Sequence, residues 1–196
     1  ATPNEAALLD LIQNWDFVCT ADSQAAAVYQ MFWWHLDQNT LNDDLPKNLQ
    51  VKGGKTGGAQ DFEIMRHLVQ SPDDLFWDDK FTTDRVETRD DIYIASLVET
   101  VEQLEKEYGK DPQTWPKWGE LHTATFKNGT LGESGVFLIE DLFNRGPFQT
   151  GGGQSLVNAT GWDVGVGFEV DWLPSMRMIV DLSNLNNSLT VHTTGQ

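Results

Sequence analysis

The chain has 196 residues, with thirty acidic against thirteen basic side chains and a formal net charge of −17. Such a surface repels phosphate backbones and anionic lipid headgroups, which argues against a nucleic-acid or membrane-surface partner. Hydrophobic residues make up 39% of the chain and eight tryptophans are among them, so the composition predicts a folded protein with a core.

The first 110 residues have the apolar spacing of helices. Four helices are predicted in this part: one over residues 7–15, a second from 22 or 23 to near 39, a short third that ends before 71, and the longest, which ends at Gly109. The predicted apolar stripe of the longest helix consists of Ile94, Leu97, Val98, Val101, Leu104 and Tyr108.

From residue 111 glycine, asparagine and short β-type runs become frequent. Strands are predicted at residues 156–159, 164–170, 176–182 and 189–192. The third is predicted to be a core strand, whose apolar face consists of Met176, Met178 and Val180. Arg177 and Asp181, on its opposite face, are expected to bridge to neighbouring elements. The sequence therefore predicts an α+β fold, with a helical region at 1–110 and an antiparallel, β-rich region at 111–196 that form one integrated unit.

The residue types that carry chemistry form no complete catalytic group in the sequence. The four histidines lack zinc-site spacing, the single cysteine Cys19 lies in an apolar setting, and residues 132–135 lack the spacing of a nucleophile elbow. The acidic residues of 71–91 occur as adjacent pairs, which favours a solvated surface over a cation site. A carboxylate pair for hydrolysis stays open because nothing selects one pair. No catalytic, cofactor-binding or metal-binding residue is assigned.

Four stretches of the second half occur in a characteristic order. They are W-P-K-W-G-E-L-H at 115–122 with Phe126, N-R-G-P at 144–147 with G-G-G-Q-S-L-V-N at 151–158, P-S-M-R-M-I-V-D-L at 174–182, and T-G-Q at 194–196. Together they resemble the corresponding motifs of the penicillin acylase (penicillin amidase) family. The helix that ends in Trp15-Asp16 is similar to the L-x-x-W-D helix of that family. The resemblance covers most of the chain and is most specific at 115–196.

The resemblance implies an N-terminal nucleophile hydrolase with an αββα fold. In such enzymes a precursor cuts itself into an α and a β chain, and the new N-terminal Ser attacks a linear amide with its own α-amine as base. Residue 1 is Ala here, and the family's nucleophile and oxyanion stretches do not match any residues of this sequence. The chain is therefore expected to be the later part of a β chain, a structural scaffold that is inactive alone.

Further expectations follow from the same resemblance. The expected partners are the remainder of the β chain, the α chain and a small-molecule amide, such as a β-lactam antibiotic side chain or an acyl-homoserine lactone. No cofactor is expected in this segment, since the family's structural calcium is bound elsewhere, and the location is expected to be periplasmic or extracellular. Gly119, Gly146 and Gly151–Gly153 are expected to form turns.

The apolar strands and the tryptophan content also bear on assembly and on a competing interpretation. Apolar strand faces left uncovered are expected to make the isolated chain self-associate, which a monodisperse monomer in sedimentation would contradict. The competing interpretation is a stand-alone acidic, tryptophan-rich module that binds carbohydrate or a cationic protein.

Overall fold

The computed structural model describes residues 1–42, 45–46, 48–49, 59–154, 156–163 and 165–192. Its helices are α1 (Pro3–Gln13), α2 (Gln24–Asp37), α3 (Ala59–Leu68), α4 (Arg89–Tyr108), α5 (Trp118–Leu121) and α6 (Phe137–Phe143). Its strands are β1 (Thr123–Phe126), β2 (Arg145–Gln149), β3 (Gly161–Trp162), β4 (Val170–Trp172), β5 (Met176–Ile179) and β6 (Leu189–His192). Within these ranges no helix is both long and apolar enough to cross a membrane.

The start of α2 and the end of α4 lie at the predicted signals, whereas α1 spans Pro3–Gln13 and the predicted helix at 7–15 begins and ends too late. Ser23 caps α2, because its hydroxyl oxygen accepts from the amide of Ala26 at 3.1 Å. Gly109 follows α4 with φ +96°, a conformation in which glycine is strongly favoured. Beyond Asp37, α2 continues as a π-helical turn over Gln38–Asn42, where a frayed end had been predicted.

The buried face of α4 differs from the predicted stripe. Val101 and Leu104 are buried as expected, but Ile94 is exposed, so that part of the prediction is wrong. The buried positions include Ser96 and Thr100, whose hydroxyls donate to the carbonyls of Ile92 and Ser96 at 2.8 and 2.6 Å. Because these hydroxyls are satisfied within the helix, small polar residues can face α2 without a desolvation penalty.

The strands form two separate sheets. One has the order β2-β1-β4-β3 and the other is the hairpin β5-β6, in which Met176 faces His192 and Ile179 faces Leu189. β1 and β4 run parallel, so the prediction of purely antiparallel strands is wrong for this pair.

Two of the four strand predictions fail. Residues 156–159 form only an isolated bridge, between Ala159 and Gly153. Of the predicted strand 164–170, residue 164 lies outside the described residues, and the rest is a turn up to the first residue of β4. Asp163 stabilises that turn by accepting from the amides of Gly165 and Val166 at 3.0 and 2.9 Å.

Three buried clusters hold the described residues together. The first joins α1, α2 and α4 around Leu8 and Met31, and it includes Trp115 from the second half of the chain. The second lies around Trp77 and the ends of α2 and α3. The third packs Ala26 and Ala27 of α2 against Trp118 and Trp162, and it therefore joins the helices to the first sheet.

The hairpin β5-β6 does not contribute to these clusters. Met176, Met178 and Val180, which were predicted to lie in the core, are all exposed in the structure, and the prediction is wrong for this chain. An alternating strand pattern indicates a face that is suited to burial, and it says nothing about which partner covers it.

Of the five glycines expected to form turns, Gly153 lies in the bridge to Ala159 without a positive φ, and the other four divide into two groups. Gly146 and Gly152 have φ of +116° and +93°, as a turn former requires. Gly119 instead lies within α5, where an added Cβ would stand 2.7 Å from the Cβ of Ala21. At Gly151 an added Cβ would likewise stand 2.6 Å from the carbonyl oxygen of Cys19. These two glycines permit close backbone approach between the two halves of the chain.

Gly152 combines a positive φ with a close backbone neighbour, because an added Cβ would overlap the backbone oxygen of Asn158. We expect Gly152→Ala to lower the free energy of unfolding by about 2–3 kcal/mol, the sum of a left-handed conformation and overpacking. Gly135→Ala isolates the conformational cost, because φ is +75° with open space around the Cβ, and should cost about 1 kcal/mol. Urea unfolding of the unmodified chain and of the two variants gives the free energies of unfolding. Equal losses of stability for Gly152→Ala and Gly135→Ala would contradict this prediction.

Candidate functional site

One open groove with apolar walls lies between the first sheet and the hairpin. It has a cavity volume of about 830 Å³, and Ala124 and Phe126 from one face of β1 line it together with Phe148 of β2. The hairpin closes the opposite side with Arg177 and Val191. A groove of this size falls within the range of small-molecule sites.

The first sheet separates this groove from a second one of different charge. The second groove, of about 950 Å³, lies along the Thr123 and Thr125 face of β1 and has five carboxylates in its lining: Glu120, Glu133, Asp163, Glu169 and Asp171. In the described residues the first groove has no acidic side chain and carries Lys127, Arg145, Arg177 and His192. The first groove is therefore basic although the net charge is −17, and its Lys127 pairs with Glu133 at 2.8 Å.

Beneath the first groove lies the fully buried imidazole of His122, stacked on the indole of Trp118 at 4.4 Å between ring centroids. Its Nδ1 is 2.7 Å from the carbonyl oxygen of Phe168, and its Nε2 is 2.7 Å from Oγ1 of Thr160. Because a carbonyl oxygen only accepts, Nδ1 carries the ring proton and Nε2 accepts from the Thr160 hydroxyl in the neutral ring.

The surrounding polar groups fix this arrangement. The Gly151 carbonyl oxygen, 3.1 Å from Oγ1 of Thr160, also accepts from Nδ2 of Asn158 at 2.8 Å. The Gly151 carbonyl therefore still accepts a hydrogen bond from Asn158 when the Thr160 hydroxyl donates its proton to His122. Burial lowers the pKa of His122 from 6.5 to about 4, although the Phe168 hydrogen bond opposes this. At neutral pH the ring is therefore uncharged.

A hydroxyl bonded to a histidine Nε2 is also the arrangement of a nucleophile and its base. Three features make this pair structural. Thr160 and His122 are both buried, the group that orients the ring is a neutral carbonyl in place of a carboxylate, and a pKa of about 4 makes the imidazole a weak base. The pair connects α5 to the loops at 151–160 and 168.

The other residues considered for chemistry lie apart from one another. Burial, followed by the charge of Asp16, raises the pKa of the Cys19 thiol, so the thiolate needed for attack is disfavoured. His35 contacts Gln103 and Glu99, and His67 contacts Glu63 on the helix surface. Among the described residues no group of three or more His, Cys, Asp or Glu side chains could hold a metal ion, and this includes the described part of 71–91.

Arg177 bridges elements as expected and Asp181 does not. Arg177 donates to Oδ1 of Asn158 at 2.6 Å, which connects the hairpin to the loop above Gly151. Asp181 instead accepts from the amide and hydroxyl of Ser183 within its own loop, and these bonds lower its pKa. Thr160 was missed by sequence reasoning because its partner lies 38 residues away and no local pattern marks it.

The fold and the site together define a segment in which a helical layer is joined to a small sheet through buried tryptophan and histidine. The W-P-K-W-G-E-L-H stretch at 115–122 lies at that joint. The sequence model of the penicillin amidase family matches residues 1–196, and the chain belongs to that family. The T-G-Q stretch at 194–196 lies outside the described residues.

Curated relatives agree with this assignment. The chain is 27% identical over 199 residues to "Acyl-homoserine lactone acylase QuiP" of Pseudomonas aeruginosa, and the match covers 95% of this chain and 23% of that protein. It is 28% and 29% identical to proteins of the same name from Pseudomonas syringae pathovars syringae and tomato, over 94% of this chain and 22% of each relative. The chain thus spans less than a quarter of the length of these relatives.

Proposed function

We propose that the chain is a β-chain segment of an enzyme that hydrolyses linear, non-peptide amide bonds. The observation that carries the proposal is the family match over all 196 residues, and the acylase names of the relatives support it. The nucleophilic Ser and its α-amine base lie outside these residues. The segment itself is a scaffold that is inactive alone and requires no cofactor.

The surface of the chain supports a scaffold role. Much of the exposed apolar surface lies at residues 136–191, in α6, the hairpin and their loops. A chain with this surface is suited to be covered by the remainder of a β chain and by an α chain, and in isolation it is expected to self-associate.

The proposed substrates follow from the names of the relatives. An acyl-homoserine lactone contains a linear amide between an acyl chain and a lactone, as a penicillin does between its side chain and its bicyclic nucleus. Attack by the Ser hydroxyl gives a tetrahedral intermediate, which collapses to an acyl-enzyme and releases the amine; water then frees the acid. We place none of these steps on residues of this chain.

The competing binding-module interpretation has little support from the surface. All eight tryptophans lie in described residues, and none is exposed; Trp77, Trp115, Trp118 and Trp162 are buried. A carbohydrate platform requires exposed aromatic faces. The indoles instead act in the core and at the joint.

The test is hydrolysis of an acyl-anilide panel by this chain and by the full-length parent protein, side by side. We expect turnover by the parent alone and its loss when the nucleophilic Ser is changed to Ala. Thr160→Val serves as the control in the parent, because it removes the buried hydroxyl that contacts His122. A folded Thr160→Val protein without activity would mean that the buried pair is catalytic, and turnover by the 196-residue chain itself would overturn the scaffold role.

A further inference from the structure

We propose that the β5-β6 hairpin and the basic groove beside it form a docking surface for an apolar, carboxylate-bearing segment of the parent polypeptide outside residues 1–196. This inference rests on the proposed function, since it assumes a longer parent. It adds which surface is covered and the chemistry of the segment that covers it.

Both faces of the hairpin carry exposed apolar side chains beside polar ones. On the groove side Ile179 and Leu189 pair across the strands and are 71% and 69% exposed, and Val191 lies beside them. On the other side Met176 and Met178 are also exposed. A two-stranded hairpin is marginally stable in water without a layer against at least one face. The hairpin therefore has the surface of an inner layer.

The charges of the groove specify the partner further. Arg145 donates to the carbonyl oxygens of Leu142 and Asn144, and Arg177 donates to the amide oxygen of Asn158. In the described part of the chain neither guanidinium pairs with a carboxylate, although acidic residues outnumber basic ones thirty to thirteen. Guanidinium groups bind carboxylates by paired, charge-assisted hydrogen bonds, so a segment with Asp or Glu side chains complements them.

The length of the relatives favours the parent polypeptide over a second copy. The relatives have more than three quarters of their length outside the matched region. In a two-fold pair, by contrast, the basic groove would meet itself.

Arginine footprinting of the full-length parent tests the proposal. Native and denatured parent are treated with phenylglyoxal, and modification is counted by mass spectrometry at Arg145 and Arg177 and, as the control, at Arg66 on α3. We expect at least tenfold protection of Arg177 in the native parent, with Arg66 still reactive. Reactivity of Arg177 equal to that of Arg66 overturns the proposal. Protection that grows with parent concentration would assign the face to a second copy, which also overturns it.

A matched pair of leucine variants tests the apolar part. Leu189 is 69% exposed on the groove face of the hairpin. Leu75 is 79% exposed in the turn Leu75–Trp77, which does not line the groove. We expect Leu189→Ser to lower the thermal midpoint of the parent by about 2–5 °C and Leu75→Ser to leave it unchanged. Equal midpoints for the two variants contradict the proposal. Amide hydrolysis by the unmodified parent is measured separately. A parent that hydrolyses amides but has a reactive Arg177 would refute the docking surface and leave the proposed function standing.

Discussion

Replacing Trp118 with alanine is expected to lower the free energy of unfolding by about 3–5 kcal/mol, the usual range for a buried tryptophan. The indole is fully buried and contacts three rings, those of His122, Trp162 and Phe168, at centroid distances of 4.4, 5.3 and 5.8 Å. Its Nε1 donates to the carbonyl oxygen of Gly152 at 2.9 Å. One substitution therefore removes the packing and a buried hydrogen bond from the joint between the helices and the sheet.

Two further variants separate these contributions. Trp118→Phe keeps an aromatic ring but leaves the Gly152 carbonyl without its donor, so it should cost about 1–3 kcal/mol beyond the lost volume. Phe81→Ala is the control, because that ring is 74% exposed, and its effect should stay within about 0.5 kcal/mol. Urea unfolding followed by circular dichroism gives the three values. A cost for Trp118→Ala as small as that for Phe81→Ala would show that this joint does not stabilise the chain.

Acidification is expected to remove about 3 kcal/mol of stability through His122 alone. The pKa of this group is about 4 in the folded chain and near 6.5 in the unfolded chain, so between these values the unfolded state binds more protons. Stability therefore rises with pH across this window. The full contribution is present above pH 6.5, and it is lost as the pH falls towards 4.

Proton NMR of the four histidines measures the cause directly, through the Hε1 shift of each ring against pH. We expect the His122 resonance to titrate near pH 4, and loss of its signal in His122→Asn assigns it. The difference in unfolding free energy between pH 7.5 and 4.5 should shrink in that variant. His67→Gln is the matched control for the loss of one histidine resonance, because its ring lies exposed beside Glu63. Titration of His122 near 6.5 would contradict the buried, neutral ring.

Local signals were enough to predict much of the helical half. Ser23 and Gly109 determine helix ends through their own side chain or lack of one, so neighbouring residues suffice to locate them. The failure at Ile94 has a different cause. Buried Ser96 and Thr100 bond to their own helix, and a pattern that counts only apolar residues cannot detect a polar residue satisfied in this way.

The second half depended on contacts that are distant in sequence. Valines at 164–170 favour a strand by propensity, but Asp163 and two glycines make a turn there. At the joint, Trp118 and His122 were recognisable as a motif, whereas Thr160 and Phe168 have their roles only because the fold brings them to His122. The motif indicated the family correctly, and the structure gives it an architectural role.

The stack of Trp118 on His122 also gives the joint an optical signal. A protonated imidazole quenches the fluorescence of an indole that it contacts, whereas a neutral one does so much less. Trp118 lies 4.4 Å from that ring at an interplanar angle of 13°, and Trp162 approaches the same ring at 5.2 Å. Tryptophan emission should therefore fall when the buried imidazole takes up its proton, so the chain carries an intrinsic reporter of the integrity of its joint.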